Sequence, residues 1–169
     1  MNSTTDVTLS AMPVAAIPAW VPAVLLLLLF LGYRQSTTRD VRPAALVSVA
    51  AVMFFFSLYG VIKAFGGDAV AIALWATGYA AVMAFGGKLF SSARMAAVGA
   101  RVRVPGSWIP LGLFMGTFFA KFVLGFATGV HSPLVQSVWF MDAMSLAFGA
   151  LSGGFGARAL AVQRVAKAA

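Results

Sequence analysis

The sequence predicts an all-α integral membrane protein: five transmembrane helices in a single bundle, with the N-terminus outside and the C-terminus inside. Three observations carry that prediction. Hydrophobic residues make up 62% of the 169 and charged residues only 9%, against about 25% charged in soluble domains. A soluble core of this size would leave large apolar patches in water. Five apolar stretches approach or exceed the roughly 20 residues that cross about 30 Å of hydrocarbon. The basic residues, finally, fall in alternate connections between those stretches.

The spans follow in order. The first covers about residues 17–33, around LLLLLF, with Pro18 and Pro22 in a first turn that tolerates them. The second covers about 44–65 and the third about 69–90, joined by the short turn GGD. The fourth covers about 108–127. Before it, RVRV reads as a brief extended piece, Pro105-Gly106 as a turn, and Ser107 as a helix N-cap. The fifth covers about 134–157, after ATGVHSP. Each is helical because backbone groups in lipid must be satisfied internally. Residues 1–169 form one transmembrane domain, with a cytoplasmic loop at about 91–107.

Orientation follows from charge. Arg34, Arg39 and Arg42 lie between spans one and two; Lys88, Arg94, Arg101 and Arg103 between three and four; Arg158, Arg164 and Lys167 after span five. All fall on one side, and the opposite loops hold no Lys or Arg. Under the positive-inside rule that side is cytoplasmic. The net charge of +8 therefore reports topology and not nucleic-acid binding. The partners to expect are the bilayer itself, anionic lipids at the cytoplasmic arginines, and a second copy or another membrane protein.

Composition also limits the chemistry. There is no cysteine, so disulfides, iron–sulfur clusters and thiolate zinc sites are excluded. There is no glutamate, and His131 is the only histidine. The acids are Asp6, Asp40, Asp68 and Asp142. No phosphate loop, dinucleotide fingerprint or metal-binding helix motif occurs. The expectation is no cofactor, no metal and no catalytic set.

Four pieces, AWVPAVLLLLLFLGYRQ, SLYGVIKAFG, VPGSWIPLGLFMGTFFAKF and SGGFGARAL, together resemble a family of small multi-pass bacterial inner-membrane proteins catalogued only as a domain of unknown function. The resemblance covers essentially the whole chain. It implies an architecture and brings no activity or site residue with it.

The residues that invite a functional reading are the charges inside spans. Lys121 sits among phenylalanines in FFAKFVLGF, about 10 Å inside the outer end of span four. Asp142 lies about 12 Å inside the outer end of span five. The two helices are consecutive, so matching depth predicts a buried Lys121–Asp142 pair, with Thr117 and Ser145 on the same faces. A lone charge there costs about 2.5–3.5 kcal/mol. Gly112, Gly116, Gly125, Gly149 and Gly153 are candidates for close helix packing, in three G-x-x-x-G matches. The glycines of GGFGAR are expected to pack closely too. Lys63, Asp68 and His131 mark the outer interface, where Lys63 snorkels and Asp68 is its loose partner.

Three functions remain open on these residues. The first is a non-enzymatic structural or accessory subunit in which the pair fixes packing. The second is a small oligomeric permease, channel or proton-linked transporter built on Lys121 and Asp142. The third is a lipid- or quinone-linked membrane enzyme, disfavoured by the shortage of His, Cys and Glu.

Overall fold

A computed structural model describes residues 20–90 and 95–168, with the side chains of residues 20 and 87–89 left aside. The start of the expected first span (17–19), Arg94 and the side chain of Lys88 lie outside that description. Among the described residues are five α-helices: α1 (Trp20–Arg34), α2 (Pro43–Phe65), α3 (Ala69–Leu89), α4 (Ile109–Gly129) and α5 (Val138–Lys167). Helices α2 to α5 are long and apolar enough to cross a membrane, while α1 is shorter.

Local chemistry sets the helix ends. Pro43 opens α2, where a missing N–H costs nothing. Gly66, at φ 66°, closes it in the left-handed conformation that glycine supplies. Asp68 Oδ1 accepts from Val70 N and Ala71 N at 2.8 and 3.0 Å and caps α3. The N-cap of α4 is Trp108 and not Ser107 as expected; Ser107 stands one residue earlier, where its Oγ accepts from Ile109 N at 3.2 Å. At the fifth apolar stretch, Pro133–Gln136 wind into a 3-10 turn opened by Ser132. The helix proper starts at Val138 and runs to Lys167, well past residue 157.

Helix α5 is the spine. Its contact with α3 is at backbone level: a Cβ on Gly149 would meet the Trp75 carbonyl oxygen, and one on Gly153 would meet that of Tyr79 at 2.8 Å. From the other side, Gly78 looks onto Leu146 O and Ala150 N. Helix α2 joins through buried polar groups. Trp75 Nε1 donates to Ser57 Oγ at 2.8 Å, and Ser57 Oγ donates to Phe148 O at 2.8 Å. Ser152 Oγ donates to the same carbonyl at 2.9 Å. Three helices are thereby tied at one level, as buried donors require. Val61, Leu124, Phe140 and Phe148 close the core around this set. Helix α1 lies on α4, with Gly32 against the Leu111 side chain.

A three-stranded antiparallel sheet covers the basic end, in the order β1 (Arg39–Val41), β3 (Arg101–Val104), β2 (Ala96–Val98). The extended piece RVRV is β3; the other two strands have no counterpart in the sequence reading. Gly99, at φ 57°, makes the two-residue turn from β2 to β3. Strand alternation sorts the side chains. Val41, Val102 and Val104 pack with Val162 of α5. Arg39 pairs opposite Val104 and so shares that inner face, while Asp40 pairs opposite Arg103 on the outer one.

Candidate anion-binding site at the basic end

Lys121 and Asp142 do not form the expected pair: no nitrogen–oxygen contact within 4 Å joins them, and the ion pair among the described residues is Arg103–Asp40. Lys121 aims at α2. Its Nζ donates to Phe56 O at 3.4 Å and lies 4.5 Å from the Phe56 ring centre and 4.7 Å from that of Phe148. It fills the space that a Cβ on Gly60 would take. Two ring faces and a carbonyl thus stand in for a carboxylate; such cation–π contacts contribute about 0.5–2 kcal/mol. The physical reason for the miss is helical phase. Lys121 meets α5 at Phe148, and Asp142 lies six residues earlier, roughly 9 Å along the axis and about 240° around it.

The companions of that pair disperse as well. Thr117 Oγ1 donates to Leu113 O of its own helix at 2.8 Å. Asp142 Oδ1 and Ser145 Oγ are buried without a hydrogen-bond partner among the described residues. Of the candidate packing glycines, Gly149 and Gly153 meet α3 backbone and Gly116 meets the Leu151 side chain, whereas Gly112 and Gly125 have open space before them. In GGFGAR, Gly154 packs on Leu113 and Gly156 on Met83 and Tyr79. Lys63 and His131 are exposed. Asp68 serves as the α3 cap and makes no ion pair with Lys63. Trp108 and Trp139 are exposed, while Trp75 is core.

The basic end holds the more unusual chemistry. A cavity of ≈ 320 Å³ lies between the α1–β1 connection, the start of α2, β3, the start of α4 and α5. Among the described residues, Arg39, Arg42, Arg101 and Arg158 line it, and no acid does. Ala45, Leu46, Val49, Pro110, Phe114 and Phe155 supply most of the apolar remainder. Arg158 is 6% exposed and, among the described residues, its Nη1 has no hydrogen-bond partner; neither has the buried Nε of Arg39. Burial first, and then the Arg34 charge, pull the Arg39 guanidinium below its usual range. The nearest strand acid, Asp40, is turned away: Arg103 Nε donates to its Oδ1 at 2.9 Å and Nη2 to its Oδ2 at 3.2 Å. A buried guanidinium with an idle donor is costly unless an anion meets it. Guanidinium forks fit phosphate and carboxylate oxygens two at a time.

A family model matches residues 3–169. The chain belongs to the DUF6622 family. It is a family of unknown function, as the resemblance implies. No curated protein and no solved structure matches the chain. In this DUF6622 member the arginine cluster was visible to sequence reasoning only as topology. A signal for burial was present: Arg158 follows Phe155 by three residues and precedes Val162 by four, so it shares one helix face with two core residues. What the sequence does not carry is the pairing of β1 with β3, which sets Arg39 beside that face.

Proposed function

We propose that this DUF6622 protein is a non-enzymatic, multi-pass protein of the bacterial inner membrane. Its N-terminus is outside, its C-terminus inside, and it binds an anionic group in the arginine pocket on its cytoplasmic face. This makes the accessory-protein reading specific. The observation that carries it is Arg158, buried, with an idle Nη1, in a pocket lined among the described residues by four arginines and no acid. The orientation is supported by the basic residues at the sheet end and their scarcity at the other. A transport reading built on a Lys121–Asp142 pair has lost that pair.

Thermal unfolding of the full chain in detergent tests the reading, comparing inorganic phosphate with chloride at equal ionic strength. Phosphate is expected to raise the midpoint of the wild type progressively with concentration. Arg158→Met is expected to lose that response, and Arg164→Met, outside the pocket, to keep it. A wild type indifferent to phosphate, or an Arg158→Met that still responds, would overturn the proposal.

A further inference from the structure

We infer that the anion is the headgroup phosphate of an anionic glycerophospholipid, with an acyl chain lying along the apolar wall of the pocket. This rests on the anion-binding reading and names the rest of the ligand. The pocket's two chemistries are laid out along one axis. Arg42 immediately precedes α2, and Leu46 and Val49 follow it by four and seven residues on one helix face. That is about 10 Å of rise. Phe114 and Phe155, with ring centres 5.0 Å apart, supply apolar surface from α4 and α5. Arg158, one turn beyond Phe155, stands where the charged and apolar parts meet.

Because α2 is a membrane-length helix, its axis gives this layout a direction. The arginines lie at headgroup level and the apolar wall runs toward the hydrocarbon. Val49 is 42% exposed, so the wall is open at its side. A free phosphate would use the arginines and leave the wall uncovered. A phospholipid uses both, and the open side lets its chain enter from the bilayer.

The test uses the full chain in detergent, stripped of lipid, with three probes: inorganic phosphate, a short-chain phosphatidylglycerol, and phosphatidylcholine of the same chain length. Phosphatidylglycerol is expected to stabilise the wild type at concentrations at least about tenfold below phosphate, and phosphatidylcholine to have no specific effect. Val49→Asn is expected to shrink the phosphatidylglycerol advantage while keeping the phosphate response, with Ala45→Asn as a second position on the same wall. Arg158→Met is expected to lose both responses. Equal potency of phosphate and phosphatidylglycerol would overturn the lipid inference and leave a soluble anion as ligand. An advantage that survives both wall variants would overturn it as well. A wild type that answers neither anion would instead sink the anion-binding reading itself.

Discussion

Lys121 and Arg158 are both cations on membrane-length helices, and the chain treats them in opposite ways. Around Lys121 the protein supplies partners of its own: a carbonyl, two ring faces, and the space above Gly60. Around Arg158 it supplies more positive charge and an idle donor. A cation met by its own chain is part of the architecture. A cation left short beside others of its sign is a request for a ligand. The difference separates packing from recognition within one small molecule, and each half of it is open to attack.

The largest effect is expected at the cage. Gly60→Ala puts a methyl where the Lys121 ammonium sits, so the flexible side chain must swing its charge away from the carbonyl and both rings, losing contacts worth about 0.5–2 kcal/mol. Adding Lys121→Met is expected to recover most of that loss, measured as unfolding midpoints in detergent. If the double variant is no better than Gly60→Ala alone, Lys121 is not what fills the gap. Arg158→Met should behave differently: without anion, its stability stays within about 1 kcal/mol of wild type or exceeds it, because an apolar isostere relieves a buried charge. With phosphate present the order reverses. Severe destabilisation in the absence of anion would make Arg158 a second structural cation and erase the contrast.

A third expectation concerns the abandoned pair. In a double-mutant cycle of Lys121→Met and Asp142→Asn, the coupling is expected to stay within about 0.5 kcal/mol, as for groups without contact. A coupling well above that would place the two side chains together after all. The smallest effect belongs to Asp40 and Arg103. The hydrogen bond from Arg103 holds the Asp40 carboxyl below its usual range. Its contribution to stability is therefore present above the ordinary aspartate value, about 3.9, and lost as pH falls from there through the lowered folded value. The pair is solvent-exposed, so Asp40→Asn is expected to shift the neutral-pH midpoint only slightly and to flatten the acid limb of the stability profile.

The helices were legible because hydropathy and turn chemistry are local: LLLLLF and the GGD turn after α2 need no knowledge of the rest of the chain. So was RVRV, whose alternation matches its burial. Consecutive order and matching depth together suggested that Lys121 meets Asp142. Depth is one coordinate of a helix and rotation is the other, and rotation is set by packing that the sequence does not display. Gly60 in SLYGVIK was a readable hint that something large approaches α2 there, but nothing named Lys121 as the visitor. The same holds at the basic end, where β1 finds β3 across more than two intervening helices' worth of chain.

The two-residue period of β1 has a consequence for descent. Arg39 and Val41 point inward and Asp40 outward. A slip of β1 by one residue against β3 would exchange the faces. Asp40 would then arrive next to Arg158, and the pocket would carry its own counterion. Relatives whose β1 is shifted by one against β3 would be expected to have closed the site to outside anions, while a shift of two would leave it open. The sign of what this end of the molecule recognises is thus written as the parity of a three-residue strand.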